Sequence, residues 1–210
     1  FSLGDAVDAP QYSWTTGGDG AWFYQTDTTH DGIDAAQSPA IDLDQQSYVQ
    51  TTVNGPGRIS FWWKVEDEFC SDYMTLELDG SEETAIYNCS DWTDEIIEIP
   101  PGSHTLRWTY YRTFGLARGG ASADKNRTSH SLAIPNAAWL DEVSFDPNIA
   151  PQITSTPSGV TAFTGTNVSL TVQLYGNPPP VFTWFKNNAS IPGQTNATLS
   201  INNAQPSDSG

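Results

Sequence analysis

The sequence predicts an all-β protein of the antiparallel sandwich or jelly-roll type, and two observations carry this prediction. In Ile59–Val65 apolar and polar residues alternate with the period of a half-buried strand. This alternation places Trp63 in the core and Trp62 on the outer face of the sheet. Turn residues interrupt the chain about every eight to twelve residues without a convincing amphipathic helix, as expected for a sandwich or jelly roll.

The elements follow from this pattern in chain order. A first strand and a glycine turn occupy residues 1–25, and a polar loop occupies residues 25–38. The proline-containing stretch 148–151 is predicted to be a linker between a domain over residues 1–147 and a domain over residues 152–210. The later strands of the first domain are expected at about Ser47–Val53, Ile59–Val65, Tyr73–Leu78, Thr84–Asn88, Glu95–Ile99, Thr105–Tyr111 and Ala138–Phe145.

The charge of the chain excludes one class of partner. Its 210 residues contain 25 acidic against 8 basic residues, a net charge of -17. Nucleic acid is therefore not expected as a partner, because phosphate binding needs a basic face. No apolar run approaches the ~18 residues that a membrane helix needs, so no membrane insertion is expected. The chain begins with Phe1 and has no basic-then-apolar leader, which fits a mature secreted chain or an excised piece.

The two cysteines are predicted to form a disulfide. Asp79-Gly80 is a strong signal for a two-residue hairpin loop, and an unbroken register from it places Met74 opposite Ala85 and Cys70 opposite Cys89. Two cysteines without a C-x-x-C spacing support neither a metal site nor a redox pair. A disulfide implies an oxidising compartment, so an extracellular or cell-surface location is expected.

A long irregular segment over residues 112–137 carries four of the eight basic residues. Its bases are Arg112, Arg118, Lys125 and Arg127 against the single acid Asp124, a local charge of +3 from four bases and one acid. Two interpretations remain open. The segment is either a tolerated insertion or a basic contact loop for an acidic glycan or for the acidic body of a neighbouring subunit.

From residue 14 to residue 145 the order of motifs resembles the MAM-like, concanavalin-A-like jelly-roll domains of secreted bacterial proteins. The resemblance implies two packed antiparallel sheets and a role in adhesion or ligand recognition, usually as one module of a larger chain. The long basic segment departs from the family pattern. The motifs that carry the resemblance are Trp14–Gly18, the Thr-His-Asp-Gly loop at 29–32, Ser60–Val65, His104–Trp108 and Ala138–Phe145.

Residues 151–210 resemble an immunoglobulin domain of the intermediate type. Val168–Val172 is similar to strand B, with Val172 in place of the first core cysteine, and Phe182–Lys186 is similar to strand C, with Trp184 as the core tryptophan. Thr198–Ile201 resembles strand E. The printed sequence stops where the last strands are expected, so either the parent chain continues or another chain donates the missing strands.

No enzyme is expected. The sequence has no nucleophile elbow, no H-E-x-x-H and no glycine-rich phosphate loop. His30, His104 and His130 lie in unrelated elements. Glycoside hydrolysis needs two carboxylates across a cleft, and the acids in residues 94–98 are more simply a solvated face.

A structural calcium ion is the cofactor that the acidic residues suggest. Strand alternation places Asp141 on the same inward face as Val143 and Phe145, where an unpaired carboxylate is unfavourable. The loop carboxylates Asp27, Asp31 and Asp34 would complete the oxygen cage, and the family resemblance points the same way. The alternative is that Asp141 accepts hydrogen bonds from backbone amides or pairs with an arginine such as Arg107.

Aromatic side chains that pack against sugar rings are the candidate ligand-binding residues. These are Trp62, Trp92, Tyr111, Phe114 and, beside them, Arg118. The alternative for each aromatic residue is ordinary core or inter-sheet packing.

These observations predict a non-catalytic extracellular module for adhesion or recognition, part of a larger secreted or surface bacterial protein. Its expected partner is an extracellular glycan or a surface protein. The alternative is a structural subunit of an extracellular filament or layer, which self-associates when a neighbour donates a strand to the incomplete immunoglobulin-like domain. A glycosidase or lyase is the weakest of the three hypotheses.

Overall fold

The computed structural model of the protein describes residues 1–68, 70–87, 89–113 and 136–210. It is nearly all β, as the sequence predicts. The chain divides into two compact units, Phe1–Asp146 and Pro147–Gly210. No helix in the described ranges is long and apolar enough to cross a membrane.

The first unit is an antiparallel assembly with a short helix before it. Its elements are α1 Leu3–Ala6, β1 Thr15–Gly18, β2 Phe23–Gln25, β3 Ala35–Gln37, β4 Gln46–Glu66, β5 Tyr73–Leu78, β6 Ser81–Tyr87, β7 Thr93–Tyr111 and β8 Ala137–Asp146. The hydrogen-bonded strand order is β2-β3-β8-β4-β7-β5-β6, and β1 pairs with β4.

Two long strands, β4 and β7, build both layers of the sandwich. Val49 on β4 pairs with Trp108 on β7, yet Phe61, further along β4, also contacts Trp108 with ring centroids 5.3 Å apart. On a straight strand the twelve residues from Val49 to Phe61 would span about 40 Å. The β4–β7 ribbon therefore folds over at its irregular centre between Gly55 and Gly57, so that its two halves face each other.

Glycine is required at this fold. A Cβ atom on Gly55 would lie 1.9 Å from the carbonyl oxygen of Pro100, which no side chain allows. The sequence predicts separate strands at Ser47–Val53 and Ile59–Val65, whereas the structure joins them in one strand, Gln46–Glu66, whose ladder continues through the bend.

The core lies between the two halves of the ribbon. Ile59, Phe61, Trp63 and Val65 are all at most 2% exposed, which confirms the inward face predicted for this segment. Opposite them lie the buried side chains Met74, Leu76, Leu106, Trp108 and Tyr110. Burial of apolar area on this scale is the main stabilising contribution to such a fold.

The disulfide between Cys70 and Cys89 is confirmed. The register from which it was predicted is wrong beyond Glu77, because a bulge between Leu76 and Glu77 shifts the pairing by one residue. Met74 therefore lies opposite Ile86 and not opposite Ala85. The two cysteines lie beyond the paired strands, where the chain is free to bring them together despite the shift.

A second bulge changes the prediction for Asp141. Ser60 and Trp62 on β4 pair with Ser144 and Asp141 on β8, so two steps on one strand match three on the other. The extra residue is Glu142, which has a φ of 49°. The prediction that Asp141 shares the inward face of Val143 is therefore wrong. Because of the bulge, Asp141 lies on the same side of the sheet as Trp62, whereas the Val143 side chain joins the core.

The elements of the second unit are β9 Ile149–Ser155, β10 Val168–Thr171, β11 Gln173–Asn177, β12 Phe185–Lys186, β13 Ala189–Ser190, β14 Thr198–Ile201 and the 3-10 turn Pro206–Asp208. The strands form three two-stranded ladders: β9 with β11, β10 with β14, and β12 with β13. The predicted linker over residues 148–151 is wrong in part, because from Ile149 onward the chain is a strand whose backbone pairs with β11.

Apolar side chains of the second unit remain largely exposed. Phe163 is 86% exposed, Val181 89% and Phe185 62%. A cavity of about 640 Å³ is lined in part by Val160, Leu170 and Ile201. Trp184 is half-buried and donates its indole N–H to the carbonyl oxygen of Asn196, 2.9 Å away.

Candidate functional site

An open groove of about 480 Å³ lies on the outer face of the first unit beside Trp62. Strands β4, β7 and β8 supply most of its wall, and the chain after α1 supplies the rest. Its lining residues are Asp8, Gln11, Ser60, Phe61, Trp62, Asp94, Ile96, Glu142, Val143, Ser144 and Phe145. The groove thus combines one indole with three carboxylates and several neutral polar groups.

The Trp62 side chain is held in place by the loop between β2 and β3. The imidazole of His30 stacks on the indole, with ring centroids 3.7 Å apart and planes 14° apart. Trp92 meets the same imidazole edge-on, with centroids 5.8 Å apart. Trp62 and Trp92 are therefore brought together through His30, and both remain partly exposed.

Asp141 fixes this loop to the sheet. One of its carboxylate oxygens accepts the backbone N–H of His30 at 2.8 Å, and the other accepts the N–H of Glu142 at 2.8 Å. The side chain is fully buried, and burial raises the pKa of Asp141 to about 6, although the two amides lower it. This is the backbone-capping alternative that the sequence left open.

The β8 bulge places a second carboxylate against the loop. Glu142, at the bulge, accepts a short hydrogen bond from Nδ1 of His30, or pairs with it when the imidazole is protonated. The irregular backbone at this position therefore lets the adjacent carboxylates of Asp141 and Glu142 both contact His30, and bulges near binding sites often redirect side chains in this way.

The other two groove carboxylates have no cationic partner among the described residues. Asp94 lies directly across from Trp62 in the β4–β7 pairing and has no hydrogen-bond or ion-pair partner in the described part of the chain. Partial burial, reinforced by the charges of Asp31, Asp34 and Glu142, raises the pKa of Asp8. The described side chains around the groove therefore carry an excess of negative charge.

The four predicted calcium ligands do not form one cage. Asp27 is exposed, Asp31 accepts the N–H of Ile33, and Asp141 uses both oxygens on backbone amides. Asp34 is largely buried, 8% exposed. Among the described residues, one group of three has potential metal-ligand atoms within 4.8 Å of one another: Asp67, Cys70 and Cys89. The sulfurs of the two cysteines are joined in the disulfide. Calcium stays a prediction.

Tyr111, another predicted ligand residue, lies away from this groove. Tyr111 belongs to a stack on the outer face of the β5–β6–β7 ladder, where its ring lies 4.7 Å from that of Tyr73, and Tyr73 in turn stacks on Tyr87 at 5.4 Å. Tyr111 is not among the residues that line the groove beside Trp62. Phe114 and Arg118 lie outside the described residues.

Sequence reasoning missed four residues of the site. His30, Glu142, Asp94 and Asp8 have no local sequence signal that separates them from other exposed polar residues. The Thr-His-Asp-Gly motif marks the loop of His30 but does not predict where the loop docks. That position depends on Asp141 and on the bulge, and a strand-alternation pattern does not reveal a bulge.

Comparison with known families places one similarity in the second unit. Residues 150–210 match the family model of the immunoglobulin domain. The human SPEG neighbor protein is 30% identical over 104 residues, which cover 45% of this chain and 44% of that protein. The chain therefore spans less than half the length of the curated relative it matches.

Solved structures are only distantly similar to this chain. TmCBM61 in complex with β-1,4-galactotriose is 14% identical with a TM-score of 0.43, covering 69% of this chain and 93% of that chain. The secreted serine protease VesC from Vibrio cholerae is 17% identical with a TM-score of 0.41, and the match covers 54% of this chain and 21% of that chain. A family 35 carbohydrate binding module from Clostridium thermocellum is 16% identical with a TM-score of 0.36, and the match covers 62% of this chain and 91% of that chain. Likenesses at this level carry no argument about a ligand.

Proposed function

We propose that this chain is a non-catalytic recognition module that binds an extracellular glycan in the groove beside Trp62. The observation that supports this best is that a tryptophan side chain stacked on His30 lies beside carboxylate acceptors. Trp62 lines the groove, and Asp94 and Glu142 lie at the same wall. Glu142 also contacts His30, whereas Asp94 has no partner among the described residues. Sugar rings pack their apolar faces on aromatic rings, and their hydroxyls donate to carboxylates.

The disulfide and the strongly acidic composition support an extracellular setting for this module. The MAM-like motif order supports placement in a larger secreted or surface protein, and a bacterial source is part of the same proposal. Calcium beside the loop of residues 25–38 is a further part, which the experiment below tests separately.

The test is a glycan array with the full chain, in calcium and again in EDTA. We expect specific saccharide binding that Trp62→Ala abolishes and Tyr111→Ala leaves unchanged, because the Tyr111 ring lies in the separate tyrosine stack. Loss of binding in EDTA would support the cation, and unchanged binding would remove the cation from the proposal. A blank array in both conditions contradicts the glycan-binding proposal.

A second candidate function is assembly through the immunoglobulin-like unit, and its exposed apolar side chains favour it. Phe163 and Val181 are each more than four fifths exposed, which is unusual for apolar side chains of this size. A strand from a second copy would cover them. Sedimentation equilibrium would then give a mass that rises with concentration, and Val181→Asp would lower it; a constant monomer mass contradicts this candidate.

A further inference from the structure

We propose that the Trp62 groove selects saccharides that carry free, protonated amino groups over acidic saccharides and over their N-acetylated counterparts. This inference rests on the proposed glycan function and names the class of glycan. It starts from the charges of the groove wall. The ionisable lining residues that the structure describes are Asp8, Asp94 and Glu142, and none of the lining residues is Lys or Arg.

The nearest basic residues on the same strand do not neutralise this wall. Arg58, two positions before Ser60, pairs with Glu98 at 3.3 Å. Lys64, two positions after Trp62, lies 3.5 Å from Glu66 and 3.3 Å from Asp91. Each cation is thus already matched by at least one carboxylate, and the groove acids remain in excess.

The surroundings make the groove more negative still. Burial raises the pKa of Asp8, and the negative charges of Asp31 and Asp34 raise it further, so both carboxylates lie close enough to add to the negative charge around Asp8. An acidic saccharide would bring a further negative charge to this site, and like charges brought together disfavour binding. A basic contact surface for an acidic glycan is therefore not what the described residues of this groove provide.

An ammonium group fits the same wall in two ways. Nothing in the described part of the chain pairs with the carboxylate of Asp94, so this group can accept charge-assisted hydrogen bonds from the ammonium protons. The indole of Trp62 attracts a cation to its face while packing the sugar ring. A neutral acetamido group offers neither the charge nor the three donors, so N-acetylation should weaken binding.

The experiment compares three tetrasaccharides by titration calorimetry with the full chain, at a pH where the sugar amine is protonated. The probes are a glucosamine tetramer, its N-acetylated form and a uronic acid tetramer. We expect the glucosamine tetramer to bind about tenfold tighter than the N-acetylated form, as one charge-assisted hydrogen bond warrants. We expect no binding of the uronic acid tetramer.

The variant Asp94→Asn keeps the shape of the side chain and removes its charge. It should weaken binding of the glucosamine tetramer about tenfold and leave the N-acetylated form unchanged. Glu83→Gln, on the exposed part of β6, makes the same change in net charge away from the groove and should have no effect. An equal loss of affinity for the glucosamine tetramer in both variants overturns the inference.

A tetralysine probe separates site binding from general attraction to an acidic protein. The chain has a net charge of -17, so polycations will associate with it to some extent. We expect tetralysine to bind in a way that Asp94→Asn and Trp62→Ala do not change. If the N-acetylated or acidic tetramer binds as tightly as the glucosamine tetramer, the inference fails while the proposed function stands; if no saccharide binds, the proposed function itself fails.

Discussion

His30 lies flat on Trp62, with ring centroids 3.7 Å apart and planes 14° apart, so a residue from a loop braces a residue of the sheet. The two belong to segments that are distant in sequence, and Asp141 connects them through the backbone N–H of His30. The stacked pair therefore depends on three elements: the loop, β4 and β8. Its stability contribution can be measured without knowledge of the ligand.

Replacement of His30 by Ala should lower the free energy of unfolding by about 1–2 kcal/mol, because the indole loses its stacking partner. His30→Phe keeps a flat ring and loses the hydrogen bond to Glu142, so its free energy of unfolding should fall by less than half of that amount. Urea unfolding monitored by circular dichroism measures both values. Equal destabilisation by the two variants would show that the Glu142 bond, and not the stacking, holds the loop.

Removal of the disulfide should lower the free energy of unfolding by about 3 kcal/mol. The two cysteines are separated by 19 positions, and cross-linking them restricts the unfolded chain. Denaturant unfolding of the Cys70→Ser/Cys89→Ser double variant gives the value. The unsubstituted protein in reducing agent is the control, and it should match the double variant; a loss below about 0.5 kcal/mol in either sample contradicts the prediction.

Asp141 should make the stability depend on pH. Its folded pKa of about 6 lies above the ordinary value of 3.8, so as the pH falls the folded protein binds this proton before the unfolded chain does. Protonation between about pH 6 and pH 4 therefore adds stability, up to roughly 3 kcal/mol, and that contribution is lost as the pH rises through about 6.

The variant Asp141→Asn tests this contribution. We expect the difference in unfolding free energy between about pH 4 and pH 7 to shift by roughly 1–3 kcal/mol relative to the unsubstituted protein, with less stability gained at low pH. Asp27→Asn, at an exposed position of the same loop, is the matched control for the substitution. An unchanged pH dependence in Asp141→Asn would contradict the prediction.

The pKa of His104 should fall when its carboxylate partner is neutralised. Nδ1 of His104 lies 2.7 Å from a carboxylate oxygen of Asp79, and this hydrogen bond holds the pKa of His104 above its ordinary value. The stability it supplies is fully present below the unfolded pKa of 6.5 and is lost as the pH rises through the folded value.

Asp79→Asn makes this test clean, because asparagine tolerates the φ of 52° at this hairpin position. An NMR titration of the His104 ring protons should give a lower midpoint in the variant than in the unsubstituted protein. The midpoint would stay the same if the interaction with Asp79 were unimportant in solution.

Tyr73 should contribute more stability than Tyr87. Tyr73 stacks on two rings, those of Tyr87 and Tyr111, whereas Tyr87 stacks on one and is 49% exposed. We expect Tyr73→Ala to lower the free energy of unfolding by about 2–4 kcal/mol and Tyr87→Ala by about 1 kcal/mol. Urea denaturation measures both, and a larger loss for Tyr87→Ala would contradict the stacked arrangement.

Residue alternation predicted the fold well where a strand is regular. In Ile59–Val65 buried residues alternate with half-buried ones in the expected order, because the inward side chains contact the opposite layer along the whole segment. The same reasoning failed at Asp141, where the extra residue Glu142 changes the side on which later residues lie. A bulge is set by how two strands match, and neither strand alone encodes it.

The candidate site was harder to predict than the fold. Trp62 was identified because strand alternation places it on the outer face, where an aromatic ring can pack against a sugar, but the residues that contact it were not identified. His30 comes from a loop whose position depends on a hydrogen bond to Asp141, 111 positions away in the chain. Asp94 lies opposite Trp62 through a ribbon whose two strands are not joined by a tight turn, so its register was not readable from the sequence.

The loop that carries the disulfide also receives the chain on both sides of residues 114–135. Thr113 exchanges two hydrogen bonds with Ser71 and donates its N–H to Asp72, and Asn136 accepts the N–H of Glu68. Thr113 and Asn136, the described residues on either side of 114–135, are therefore both bonded to the loop that the disulfide closes. A segment of different length or composition between Thr113 and Asn136 would keep the same attachment points, which makes this position a natural place for sequence exchange and a practical one for grafting peptides.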